Sequence, residues 1–191
     1  MSDPFSLLGV ARRPLLDPEE IGSAYRRLAG QLHPDQASGD ALKFRELGEA
    51  AAILKDPAPR LRELAGGSAP SGGSLPPEAS DLFPKVATVL QQADSLLEKQ
   101  GSATNALAKA LLVTPFRKLA DDLETILSLL ESWKSTLHQE LQRVDQEWPE
   151  HGSPSRSALA ALTHLADSFT FAGRWELQLR NRKLALEAAL G

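Results

Sequence analysis

Residues 17–35 read DPEEIGSAYRRLAGQLHPD, and this stretch decides the fold of the first third of the chain. Asp17 is a favourable helix N-cap, and Pro18 suits the first helical turn. Apolar residues then recur at spacings of three and four, the period of a helix that buries one face: Ile21, Ala24, Tyr25, Leu28 and Leu32. The helix must end before Pro34, because the residue preceding a proline is disfavoured in helical geometry. The sequence therefore predicts an amphipathic helix followed by a loop.

A second helix is predicted over residues 40–54, where another apolar stripe occurs: Phe44, Leu47, Ala51 and Leu54. Asp56 and Pro57 follow it as a stop signal. Two antiparallel helices cannot cover both stripes by themselves, so we expect a short helix over residues 5–10 and another around residues 61–64. The first 65 residues are thus predicted to form a helical hairpin with short flanking helices.

Residues 66–77 are rich in glycine, serine and proline and have the composition of a flexible linker. They divide the chain into a domain at residues 1–65 and a longer segment at residues 78–191. Leucine and alanine dominate that segment and β-branched residues are few, so the fold class expected for the whole chain is all-α.

The longer segment is predicted to form an antiparallel helical bundle. One helix of about twenty residues starts near Leu82 and ends near Gly101, a candidate left-handed cap. Thr114 and Pro115 are expected to open the next helix, and a final helix or broken pair covers residues 154–190. Together these elements favour a three-helix bundle or a long helical hairpin.

A heptad-like series of apolar residues runs through the middle of this segment: Leu119, Leu123, Ile126, Leu130, Trp133, Leu137, Leu141, Val144 and Trp148. It is compatible with a core inside the bundle, a homodimeric coiled coil or a groove for a partner helix. Short connections favour packing against neighbouring helices, so we expect an internal core and a monomer.

The composition excludes several classes of protein. The chain has 191 residues and no cysteine, which rules out disulfides, thiolate metal sites and cysteine nucleophiles. Its formal charge of −4 provides no general attraction to nucleic acids or anionic membranes. Neither a signal-like start nor an apolar run of about 18 residues is present in the sequence, so a cytoplasmic protein is expected.

No catalytic constellation is evident in the sequence. His33 and Asp35 have no candidate nucleophile beside them, and the glycine-rich stretch lacks the lysine and the strand–helix context of a phosphate-binding loop. His138, His151 and His164 are too far apart for a local metal motif. We expect neither an enzymatic activity nor a cofactor.

Residues 4–64 resemble a J-domain, the module by which co-chaperones activate DnaK-type heat-shock chaperones. The tripeptide His33-Pro34-Asp35 at the tip of a helical hairpin carries the resemblance, together with Arg26 and Arg27 on the preceding helix. It implies that the loop and the basic helix face bind the chaperone's nucleotide-binding domain and interdomain linker and promote ATP hydrolysis. The expected chaperone-binding residues are therefore Arg26, Arg27, His33, Pro34 and Asp35, and residues 78–191 are expected to select a client protein.

Two neutral residues depart from the family pattern. Gln31 and Gln36 stand where basic residues are common in the family, so a weaker or more selective docking is expected. The layout is also similar to that of the J-domain co-chaperone of iron–sulfur cluster assembly. Because this chain has no cysteine, it cannot hold a cluster through thiolates, and in such a role it would act only by delivering the cluster scaffold protein to the chaperone. A further alternative is a structural helical adaptor with a vestigial J-domain.

Overall fold

The computed structural model describes residues 3–33, 35, 39–67, 76–149 and 152–190, so most of the predicted linker lies outside the described residues. The fold class is all-α, as expected: every regular element in the described part of the chain is helical. Apart from a short 3₁₀ turn at Pro77–Ala79, these elements are α1 Pro4–Leu8, α2 Pro18–Leu32, α3 Ala41–Lys55, α4 Pro57–Leu64, α5 Phe83–Ser102, α6 Ala106–Gln146 and α7 Arg156–Leu190.

The chain divides into two compact units. The first combines residues 1–74 with residues 137–169, and the second combines residues 75–136 with residues 170–191. The first unit therefore contains α1 to α4 together with the last part of α6 and the first part of α7. The division at residues 66–77 into separately folding domains stays a prediction.

Aspartate side chains set the starts of the four N-terminal helices. Asp17 accepts a hydrogen bond from the backbone N–H of Glu19 (2.9 Å), which is the predicted cap of α2. Asp3, Asp40 and Asp56 cap α1, α3 and α4 in the same manner. These helices close over a common core in which the largest buried side chains are Phe5, Leu8, Ile21, Leu47, Leu54 and Leu61.

A buried arginine on α4 connects the segments that meet at the open end of the hairpin. Arg60 is only 4% exposed. Its guanidinium donates hydrogen bonds to the carbonyl oxygens of Pro14 (2.9 Å) and Leu54 (2.6 Å). Burial lowers the pKa of Arg60, and the charges of Asp56 and Asp145 act in the opposite direction. The arginine thus joins the α1–α2 connection to the end of α3.

The α1–α2 connection also contacts α6. Asp145 accepts a hydrogen bond from Arg13 Nε (3.0 Å), forms an ion pair with the same guanidinium, and accepts the backbone N–H of Leu15 (2.9 Å). Just beyond α6, Trp148 Nε1 donates to the carbonyl oxygen of Arg12 (3.0 Å). The N-terminal helices and residues 137–169 therefore share polar contacts as well as a compact unit.

One predicted boundary and one predicted cap are wrong. Helix α6 begins at Ala106 and contains Pro115, rather than opening at Thr114 and Pro115. Asn105 provides its start by accepting the backbone N–H of Ala108 (2.8 Å). Helix α5 continues through Gly101, which is not among the glycines with positive φ in the described chain.

The heptad-like series is buried within the chain at most of its positions, as the internal-core interpretation requires: Leu119, Leu123, Leu130, Trp133, Leu137 and Leu141 are all at most 8% exposed. In the second unit, α6 and α7 are antiparallel, because Glu124 and Lys134 pair with Lys183 and Glu176 respectively. Burial opposes the charged form of Lys134, yet its hydrogen bonds to Glu176 and Glu131 raise its pKa overall. Such pairs connect α6 and α7 within the second unit.

Candidate functional site

The predicted site lies where the helical hairpin turns. Helices α2 and α3 run antiparallel, and the backbone N–H of Asp40 donates to the carbonyl oxygen of Leu32 (3.1 Å) across the intervening loop. His33 terminates α2 and directs its ring against Phe44 of α3, with ring centroids 5.4 Å apart in an edge-to-face arrangement. In the described part of the loop, the Asp40–Leu32 hydrogen bond and the His33–Phe44 ring contact therefore connect the two helices at the tip.

Two of the three tripeptide residues are described, and they contact each other. The backbone N–H of Asp35 donates to His33 Nδ1 (3.3 Å), and a carboxylate oxygen of Asp35 lies 3.4 Å from the same nitrogen. The first contact uses the lone pair of Nδ1, so in the neutral ring the proton lies on Nε2. Pro34 lies outside the described residues. The Asp35 side chain is 87% exposed, which leaves its carboxylate accessible to a partner.

Asp40 caps the helix that follows the loop. Its side chain accepts the backbone N–H groups of Leu42 (3.0 Å) and Lys43 (3.1 Å). The hydrogen bond from the Lys43 backbone is the largest influence and lowers the pKa of Asp40 below its ordinary value of 3.8. Asp40 is thus an ionised cap that fixes where α3 begins.

Both predicted arginines are exposed on α2, one and two residues after Tyr25. Arg26 Nη2 donates to the hydroxyl of Ser23 (3.1 Å), one turn earlier in the helix. A Cβ atom built on Gly22 would lie 3.3 Å from Arg26 Nη1, so the guanidinium passes close over that glycine. The side chain of Arg26 is therefore directed towards the N-terminal end of α2, away from the tripeptide.

The structure adds a cation that the sequence reasoning did not assign to the site. Lys55, the last residue of α3, is exposed, and its Nζ lies 6.0 Å from the centroid of the Tyr25 ring. The apolar stripe predicts Tyr25 mainly in the core, but in the structure it is half-buried and Lys55 lies over its ring. Antiparallel pairing of α2 and α3 is the available signal, because it places the end of α3 beside the first half of α2, which extends to Tyr25, the middle residue of that helix.

The described residues do not suggest a metal centre: among them, no group of three or more histidine, aspartate or glutamate side chains is arranged to hold an ion. No helix in the described ranges is long and apolar enough to cross a membrane. The hairpin combines an exposed carboxylate with exposed cations, which suits recognition of another protein through charged hydrogen bonds.

Comparison with known proteins gives one family and many relatives. The DnaJ domain family matches residues 3–62. The chaperone protein DnaJ of Deinococcus proteolyticus is 49% identical over 61 residues, which are 30% of this chain and 19% of that protein. The DnaJ of Bartonella quintana is 37% identical over 95 residues, covering 42% of this chain and 24% of the relative. Protein SIS1 of Saccharomyces cerevisiae is 43% identical over 56 residues, or 29% of this chain and 15% of that protein.

The family match concerns the N-terminal region, residues 3–62. The chain covers less than a quarter of the length of each of these three relatives. No solved structure matches the chain. The family match therefore bears on the hairpin and its loop, and it does not extend to the helices after residue 62.

Proposed function

We propose, on the premise that residues 3–62 belong to the DnaJ domain family, that this protein is a co-chaperone of a DnaK-type chaperone. In this proposal His33, Pro34 and Asp35 form the signalling loop that stimulates ATP hydrolysis by the chaperone. Arg26 and Arg27 supply the charged contacts of the preceding helix.

The exposure of Asp35 carries the proposal. The Asp35 carboxylate is 87% exposed and lies beside His33 in a short turn. It contributes little to the stability of the fold, because exposed charged pairs add little to the free energy of unfolding. The same carboxylate is well placed to accept two hydrogen bonds from an arginine of a partner. This contrast supports a role in recognition.

We assign client selection to the helices within residues 78–191. Several large apolar side chains in the second unit are exposed: Phe83 (51%), Leu107 (71%), Leu111 (69%), Leu177 (62%) and Leu184 (62%). Exposed leucine and phenylalanine side chains favour contact with an apolar segment of another polypeptide. This role is a proposal that rests on those exposures.

The experiment is a steady-state ATPase assay with a bacterial DnaK-type chaperone, titrated with the full chain. Wild-type protein is expected to stimulate hydrolysis, and Asp35→Asn and His33→Gln to lose most of the stimulation. Asp121→Asn is the matched control, because Asp121 is an exposed aspartate on α6. Equal stimulation by wild type and Asp35→Asn would contradict the loop's role.

The alternatives give different results. A structural adaptor with a vestigial J-domain predicts no stimulation by any of these proteins. An iron–sulfur assembly co-chaperone predicts stimulation together with retention of a cluster scaffold protein on the immobilised full chain. Stimulation without such retention at micromolar concentrations favours a different client.

A further inference from the structure

Helices α5 and α6 form the walls of a groove in the second unit. Two adjoining cavities make up this α5–α6 groove, and Gln92 of α5 and Asp122 of α6 line both of them. The lining extends along α5 from Lys85 to Lys99, about four helical turns, so the groove is about 20 Å long. A helical peptide segment of about 14 residues has the same length.

The groove lies on the flank of α5 and α6 away from α7. Asp94 of α5 pairs with Arg182 of α7, and Glu124 of α6 pairs with Lys183 of α7. Each of these two carboxylates follows a groove-lining residue by two positions. Side chains two residues apart on a helix point in nearly opposite directions, so α7 and the groove are on opposite flanks of the helix pair.

The floor of the groove is apolar and is formed by four side chains from the two helices: Val89, Leu96, Leu119 and Ile126. The apolar surface continues towards the start of α6, since Leu111 and Leu107 precede the groove-lining Pro115 by one and two helical turns. These two leucines are 69% and 71% exposed. A long apolar strip between two helices suits the apolar side of a third, amphipathic helix.

The rim of the groove is positively charged. Lys85 and Lys99 line it from α5, and Lys118 lines it from α6. All three are exposed, and within the described residues none of them forms an ion pair. Asp122 is the one carboxylate among the described side chains that line the groove. The groove therefore has an excess of positive charge in a chain whose formal charge is −4, and such a surface attracts an acidic partner.

We propose that the α5–α6 groove binds an acidic amphipathic helix of the client protein. The apolar side of that helix covers the floor of the groove, and its aspartate or glutamate side chains meet Lys85, Lys99 and Lys118. Burial of the apolar side provides affinity, whereas the lysines select for acidic segments and increase the association rate. The inference rests on the proposed role of residues 78–191 in client selection and specifies the chemistry of the client.

The test is a titration of a fluorescein-labelled peptide with the full chain, followed by fluorescence anisotropy. The peptide is a helix of about 14 residues with leucines at helical spacing and glutamates on both flanks, and we expect saturable binding at micromolar concentrations. A peptide with lysine in place of each glutamate should bind about ten-fold more weakly or worse at low salt. The difference should shrink as salt increases, because screening weakens interactions between exposed charges.

Variants of the chain locate the binding site. Lys99→Glu and Lys118→Glu should each weaken binding of the acidic peptide by about three-fold or more, and Leu111→Ser should have a similar effect. Lys109→Glu is the matched control, because Lys109 is an exposed lysine on α6 that does not line the groove. It should leave the affinity unchanged.

Equal binding of the two peptides, or equal losses in Lys109→Glu and Lys118→Glu, would overturn the proposal of an acidic helix in this groove. If the acidic peptide does not bind although the full chain stimulates the chaperone in the ATPase assay, the inference about the groove fails and the proposed co-chaperone function stands. If the acidic peptide binds to a chain that does not stimulate the chaperone, the groove is supported and the proposed function is contradicted.

Discussion

Polar residues are exposed at the tip of the N-terminal hairpin, around Asp35, and buried at its base, around Arg60 and Asp145. At the tip, Asp35 is 87% exposed and its contacts are to His33, two residues earlier. At the base, Arg60 is 4% exposed and bonds to Pro14, 46 residues earlier. Asp145, which is 6% exposed, bonds to Arg13 across 132 residues of sequence.

The difference separates residues that fix the fold from residues that are available to a partner. A buried polar group must be satisfied within the chain, because leaving it without a partner costs about 1–3 kcal/mol. An exposed carboxylate can exchange its contacts with water for contacts with another protein at little cost to stability. The base is therefore expected to control the stability of the first unit, and the tip its recognition.

The largest expected effect comes from Arg60→Ala. The substitution leaves the carbonyl oxygens of Pro14 and Leu54 without their donor and opens a cavity in the core, so we expect a loss of about 3 kcal/mol or more in the free energy of unfolding. Urea denaturation measures it. The control is Arg45→Ala, since Arg45 is 70% exposed and should change stability by less than about 0.5 kcal/mol. Similar stability for the two variants would contradict the role of the base.

Asp145→Ala should have the next largest effect. It removes the carboxylate that receives Arg13 and the backbone N–H of Leu15, and the expected loss is about 2 kcal/mol. The side chain of Arg13 is 49% exposed, so it can be solvated when its partner is lost, which keeps the cost below that of Arg60→Ala. A double-mutant cycle with Arg13→Ala in urea denaturation isolates the pair. A coupling energy near zero would mean that α6 and the α1–α2 connection are held by other contacts.

Local sequence signals predict the helices of the hairpin but not the contacts at its base. The cap at Asp17 and the proline at position 34 delimit α2 at Pro18–Leu32, because both act within a few residues. The pairing of Arg13 with Asp145 has no local signal, since only the folded chain brings them together. The prediction of a helix start at Pro115 is wrong because proline suits a first turn, whereas Asn105 caps the helix ten residues earlier. The residue directly after the proline, Phe116, has a buried side chain.

Lys55 is predictable only in part. Its position at the end of α3 was predictable from the stop signal at Asp56 and Pro57. Its location over the Tyr25 ring depends on how α2 and α3 pair, which the apolar stripes specify only approximately. The candidate loop could therefore be found from the sequence, whereas the contact between Lys55 and Tyr25 required the fold.

The smallest effect on global stability is expected at the tip, from the cap residue Asp40. Because the pKa of Asp40 is lower in the folded chain than its ordinary value of 3.8, its contribution is present above that pH and is lost as the pH falls through the lowered pKa. Hydrogen exchange followed by NMR should therefore show protection of the Leu42 and Lys43 amides decreasing in acid in the wild-type protein. In Asp40→Ala these two amides should be weakly protected at every pH, while amides in the core of α3 keep their protection.

Asp40→Asn separates the cap from its charge. Asparagine can accept the same backbone hydrogen bonds but does not titrate, so the protection of these amides should lose its dependence on pH. If Asp40→Ala instead lowered the protection of the whole first unit as much as Arg60→Ala does, the tip and the base would unfold as one cooperative element. The exposed loop would then be coupled to the core, and Asp35 could not exchange partners independently of the stability of the hairpin.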